Sequence, residues 1–434
     1  LNDIDRLYPG RKLELLGKEL VLCDMQKDWA QSYDIARLFK MRTGYPNMTV
    51  TLSQINALVR LRLGMYALAV AEELNDFFPE SPQSAMALAA LLDSYGYGED
   101  ALFVLDKVPG ADSTPLGAVL LRDTERFFES ERAARAAGRP DISRSVRQQS
   151  FNLPPAELAI LPPMLGDPLT DREMDLKAAE TEREIQSCTS PFVYGLKKLT
   201  AGWFRAQGTG QSSDPEKWAA VGRDKMEKAV ALHELAMLLA RQKRVVESDA
   251  VLDKAVAMVP NIAILWQARA ALSGGRREIV EEARKACPQS SEIWLADLAA
   301  RLRDLGPGDW AKRAITNAAA SLAFPAGTMV RAGDMLWRAG MIEAASIAAS
   351  NAMERCNGLL PAYVLGLRCA LASGNLDRAL ACATQAGKCA LDPAPFNKAV
   401  VDIKTLMGCS DAELIDAVEK EDLAIAKDIK KVEN

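Results

Sequence analysis

Leu302-Arg303-Asp304-Leu305-Gly306-Pro307-Gly308-Asp309-Trp310-Ala311, Leu336-Trp337-Arg338-Ala339-Gly340-Met341-Ile342-Glu343-Ala344-Ala345 and Ala370-Leu371-Ala372-Ser373-Gly374-Asn375-Leu376-Asp377-Arg378-Ala379 are three versions of one pattern. Each begins 34 residues after the last, and Ala318, Ala352 and Ala386 continue the same phase. A glycine and small residues at fixed offsets in a period of 34 mark a stacked helix-turn-helix array, in which each unit buries its apolar face on its neighbours. Within each version the glycine stops the first helix in a left-handed turn, and the alanine five residues on lets the second helix pack close. Gly64 with Ala69 and Gly96 with Ala101 carry the same offset, which extends the expectation to five units.

The composition agrees with helices. Of 434 residues, 49% are hydrophobic and 26% charged, while aromatics are 6%, too few for a sandwich or barrel built on aromatic and β-branched strands. A net charge of −5 gives no general attraction to phosphate backbones, so nucleic acid is not an expected partner. No apolar run approaches the roughly 18 to 20 residues that span a bilayer, and Leu1 to Asp5 is not a signal peptide. Cys23, Cys188, Cys287, Cys356, Cys369, Cys382, Cys389 and Cys409 form no CxxC and no paired framework. That usage suits reduced, buried residues of a cytoplasmic protein, or of a periplasmic one if an upstream signal or anchor was removed.

Outward from the array, the expected organisation is N-terminal helical repeats over 1–138, a Pro-rich linker or surface segment over 139–170, the main array over 171–410, and a charged capping helix over 411–434. The linker carries Pro140, Pro154, Pro155, Pro162, Pro163 and Pro168, which remove helix donors. Ser190 before Pro191, and Asp214-Pro215-Glu216, are helix starts. Lys228-Ala229-Val230-Ala231 recurs as Lys254-Ala255-Val256-Ala257 after only 26 residues, so either a helix is shortened or one match is chance. Leu414, Val418, Ile425, Ile429 and Val432 form the apolar stripe of the terminal helix.

These units resemble the tetratricopeptide repeat. Gly333, Leu336, Gly340, Ala345, Ala349 and Ala352 stand at its small and apolar places, as do Tyr363, Leu367, Gly374, Ala379, Ala383 and Ala386 in the next unit. The resemblance is closest over 291–393, with Pro325 and Pro393 displaced from the usual proline place and the unit around Trp266 shortened. It implies an all-α fold, an α-solenoid of antiparallel helix pairs in a TPR-like superhelix, interrupted by the Pro-rich segment. It also implies a scaffold or adaptor that binds protein partners, through a helical or extended segment, and supports assembly of a larger complex. The groove-facing places hold Arg303, Val330, Asp334, Trp337, Val364, Arg368 and Leu371, with Trp337 as the apolar anchor. The alternative is the repeat region of a larger secretion or polysaccharide-export protein.

Catalysis is not expected, and neither is a cofactor or a metal. His233 is the single histidine, unable alone to form HExxH or a paired-histidine site, and no Gly-x-Ser-x-Gly elbow or phosphate loop is present. Cys356, Cys369 and Cys382 recur every 13 residues, a step that leaves side chains about 60° off one face even in an unbroken helix.

Overall fold

The computed structural model describes residues 11–110, 114–124, 127–142, 167–186, 188–320 and 324–408. The expected capping helix of 411–434, Cys409 and most of the Pro-rich stretch lie outside them. Every regular element among the described residues is helical. In chain order the first are α1 (Arg11–Gln26), α2 (Trp29–Thr43), α3 (Met48–Arg60), α4 (Gly64–Phe77), α5 (Pro82–Ser94), α6 (Gly98–Leu105), α7 (Pro115–Asp123) and α8 (Phe127–Ala136). After the Pro-rich stretch come α9 (Asp171–Gln186), α10 (Pro191–Arg205), α11 (Pro215–Ala219), α12 (Lys225–Arg241), α13 (Val245–Met258), α14 (Ala263–Leu272) and α15 (Arg277–Ala286). The last are α16 (Ser291–Leu305), α17 (Trp310–Ala319), α18 (Ala326–Arg338), α19 (Ile342–Arg355), α20 (Leu360–Ala372), α21 (Leu376–Cys389) and α22 (Ala394–Leu406). The last helices form an α-helical repeat: α18, α20 and α22 start 34 residues apart, and α19 and α21 end 34 apart.

One turn geometry serves most of the pairs. A left-handed residue follows the first helix, and the second helix begins two residues later, at Lys27, Arg62, Gly96, Lys243, Gly275, Gly340 and Gly374. Five residues past each of these stands a fully buried residue: Ser32, Ala67, Ala101, Ser248, Val280, Ala345 and Ala379. Gly306 and Ala311 follow the same five-residue rule, although their second helix starts later. The buried residue lies in the first turn of the second helix, where it faces the end of the first, and a compact side chain permits the approach. Ser248 adds a bond there, its hydroxyl donating to the Ala236 carbonyl at 2.7 Å. Gly408 holds the same left-handed geometry 34 residues after Gly374.

Gly64 departs from the expectation. It is the first residue of α4 with a negative φ, Arg62 (φ 64°) holds the left-handed turn, and Ala67 rather than Ala69 is the fully buried small residue. Glycine is needed at 64 for another reason: a Cβ there would lie 2.6 Å from the Tyr95 hydroxyl. The repeated Lys-Ala-Val-Ala segments fall on α12 and α13, the first and second helix of one pair, so they are not equivalent positions. The shortened unit is real, with α14 and α15 of 10 residues each. Pro325 and Pro393 cap the starts of α18 and α22, and Ser190 and Asp214 cap α10 and α11 with their side chains.

The chain divides into two compact units interleaved in sequence, one of Leu1–Gly96 with Ile160–Asp297, the other of Tyr97–Ala159 with Leu298–Asn434. The first unit is centred on Tyr33 of α2. Its ring meets Tyr66 of α4 edge-on at 5.8 Å and Phe192 of α10 at 6.3 Å, and its hydroxyl donates to Glu227 of α12 at 2.7 Å. Glu227 is fully buried and also accepts from the Arg223 backbone N–H at 2.7 Å and the Arg223 guanidinium at 2.6 Å. Arg37 donates to Asp224 at 2.8 Å, and Arg223 reaches Asp34 at 2.7 Å. Each charge in this network has a partner, which is the condition for burying it.

In the second unit, α22 closes the described array by burying Val400 and Ile403 on Ala370, Ala379 and Ala383. Arg355, from the end of α19, donates to the Ala319 carbonyl at 2.7 Å and to that of Phe324. Its charge thereby sits at the carbonyl end of α17.

Candidate interaction site

Two first helices of successive repeats, α18 and α20, place the site within the second unit. Gly333 makes their approach possible: a Cβ there would lie 2.5 Å from Leu365 Cδ2 and 3.0 Å from Ala348 Cβ. Asp334 is the next residue and is drawn into the same approach, which leaves it only 8% exposed. One turn on, Arg338 brings Nε to 2.9 Å from Asp334 Oδ2. From α20, one repeat later at the position equivalent to Asp334, Arg368 brings a guanidinium nitrogen to 3.9 Å from Oδ1. The same guanidinium lies across the Trp337 indole, with Cζ 5.7 Å from the ring centroid.

The acid is therefore neutralised by two arginines, and one of them also stacks on the tryptophan. At a half-exposed position such a cation–π contact is worth about 0.5–1 kcal/mol. Asp334 Oδ2 and Trp337 Nε1 are both shielded and make no hydrogen bond. Arg338 Nε lies 2.9 Å from Oδ2 and holds it as an ion pair.

Of the seven positions named from sequence, Asp334, Trp337 and Arg368 come together here. Leu371, three residues beyond Arg368 on α20, is 45% exposed. Val330 is half-buried one turn before Asp334. Val364 packs against the cluster of Leu360, Tyr363 and Ala386. Arg303 is exposed and pairs with its neighbour Asp304 at 3.0 Å. Arg338 belongs to the site and was not among the seven. Its signal was the four-residue spacing from Asp334, which puts an acid and a base on one helix face.

Elsewhere, His233 is nearly buried on α12, its Nδ1 3.8 Å from Glu234. Burial pushes the thiols of Cys287, Cys369 and Cys389 up to about 11, so at neutral pH they are protonated and weakly nucleophilic. Among the described residues no group of three His, Cys, Asp or Glu is placed to hold a metal ion, and no helix is long and apolar enough to cross a membrane.

No known family description matches the chain, and neither does any curated relative. Among solved structures, the Cut9–Hcn1 hetero-tetramer of the APC/C is similar at 11% identity over 97% of this chain and 95% of that one, with a TM-score of 0.26. Yeast Tom70 is similar at 11% identity over 95% and 100%, with a TM-score of 0.30. The repeat fold rests on the chain's own helix register, turns and buried small residues.

Proposed function

We propose that this chain is a non-catalytic scaffold or adaptor that binds protein partners on the first-helix face of its repeats and supports assembly of a larger complex. The observation that carries the reading is the Asp334, Trp337 and Arg368 cluster, which joins two successive repeats on that face and presents an aromatic surface beside charge. Tryptophan and arginine are the side chains that most often dominate protein interfaces. The exposed Leu371 extends the apolar part of the surface along α20.

The test is an affinity pull-down with wild-type protein and Trp337→Ala in parallel, each checked for an unchanged melting profile. Loss of the recovered partners in the variant supports the assignment. Equal recovery by both proteins would remove Trp337 from the function.

A further inference from the structure

Among the described residues the two most exposed aromatic rings stand together, in the first unit. Tyr45 follows the end of α2 and Phe77 is the last residue of α4; their rings are near-parallel, 11° apart in plane with centroids 6.5 Å apart. Tyr45 is 54% exposed and Phe77 53%, and Phe78 supports Phe77 edge-on at 5.0 Å. Leu38 and Met41, three residues apart on α2 and so on one face, are exposed as well. Single apolar side chains on a surface are ordinary, whereas a cluster of them marks an interaction surface. Because α2 and α4 are the second helices of their pairs, this one lies off the first-helix face.

We infer that Tyr45 and Phe77 form a docking site for an arginine side chain on a basic, amphipathic segment of a partner protein. The charges around the rings carry the choice. Lys40 is paired with Glu73, and Arg42 is engaged by a partner of its own. Asp76 and Glu80, which flank Phe77 in sequence, are exposed and have no cationic partner among the described residues. Elsewhere in the chain a basic side chain covers the aromatic ring: Arg60 lies over Trp29 at 5.8 Å, Arg269 over Trp266 at 5.7 Å, and Lys198 over the exposed Tyr194 at 6.0 Å. No basic side chain of the described residues lies over Tyr45 or Phe77. The rings and the two carboxylates are what a cation needs, and the chain does not supply one.

Arginine fits better than lysine, because its flat guanidinium stacks on a ring face while its N–H fork takes a carboxylate. An acidic segment is opposed by Asp76 and Glu80, and a wholly apolar one would strip water from both without replacing it. The apolar residues of the segment lie on Met41 and Leu38. This surface goes beyond the scaffold reading of the Trp337 cluster, and neither assignment depends on the other.

The experiment uses the full chain labelled with 3-fluorotyrosine and reads the 19F signals. The Tyr45 signal is identified by its loss in Tyr45→Phe. The probe is N-acetyl-leucyl-alanyl-alanyl-arginine amide, and the controls carry citrulline, which keeps the shape and loses the charge, or lysine in place of the arginine. The expected result is a saturable movement of the Tyr45 signal with the arginine peptide, about tenfold weaker binding of the citrulline peptide and weaker binding of the lysine one, with the other signals stationary. The double variant Asp76→Asn, Glu80→Gln should bind the arginine peptide about fivefold more weakly with an unchanged melting profile, and Phe77→Ser should lose the response. A stationary Tyr45 signal, or an equal response to citrulline, overturns the inference, as does full binding by the double variant. Equal binding of the lysine peptide overturns the choice of arginine. The Trp337→Ala pull-down is read separately, so a failure of either assignment is distinguishable from a failure of the other.

Discussion

The Tyr33 hydroxyl donates to Glu227 Oε1 at 2.7 Å across 194 residues of sequence. This bond ties α2 to α12, on the far side of the Pro-rich stretch in sequence. Glu227 is fully buried, and Arg223 is its closest cationic partner. Burial, reinforced by the charges of Tyr66 and Glu227, keeps the Tyr33 phenol protonated at any usable pH, so it remains a donor.

Removing the acid leaves buried donors without an acceptor. Glu227→Ala is expected to cost about 3–5 kcal/mol, the range for breaking a buried ion pair from one side. Tyr33→Phe, which removes one hydrogen bond to a charged group, should cost about 1.5–3 kcal/mol. Urea unfolding curves measure both, and equal small effects from the two variants would contradict the description of Glu227 as the centre of the network.

The interleaved units make a second prediction. Each draws chain from both sides of residues 143–166. Fragments 1–142 and 167–434, co-expressed as separate chains, should therefore co-purify and melt as one species. Separate elution would show that the connection, and not the packing around Tyr33 and Glu227, holds the first unit together.

Turns respond with opposite signs. Gly340 has a φ of 78° and nothing within 4 Å of an added Cβ, so Gly340→Val is penalised by backbone conformation alone, by about 1–2 kcal/mol. Lys243 holds the same geometry (φ 62°) with a side chain that disfavours it, and Lys243→Gly should raise stability by up to about 1 kcal/mol. Thermal melts of the two variants should move in opposite directions.

Alkali should weaken the fold. The Cys369 thiol is raised to about 11 by burial, against an ordinary value near ~8.5. A raised pKa gives stability that is fully present below the unfolded value and is lost progressively as pH climbs from there to about 11. The melting temperature should fall over that window, and Cys369→Ala should flatten the fall. A profile unchanged by the substitution would count against the burial of this thiol.

The repeat could be read from residues because its determinants are local. Gly340 and Gly374 are left-handed where the period placed them, and Ala345 and Ala379 are buried where a small residue was required. The same rule was hidden at Lys27, Arg62 and Lys243, where ordinary residues hold the left-handed turn, and at Ser32, Ser248 and Val280, which do the work of alanine. Gly64 misled because it lies two residues beyond the turn and is there for Tyr95. In the candidate site, the period alone put Asp334 and Arg368 at equivalent places. It had no means of separating Val364, which packs inward with Tyr363, from Leu371, which stays exposed, since both are apolar residues of α20.

Residue order specified the helices, most of their stops and the close packing within each pair, since these depend on contacts only a few residues to a few tens of residues apart. Which distant pairs share a core was decided in three dimensions. Nothing in the local patterns of Tyr33, Arg37, Asp224 or Glu227 announces that they meet. They meet because burying one carboxylate requires donors from several helices at once, and only the assembled first unit brings those donors to the same place.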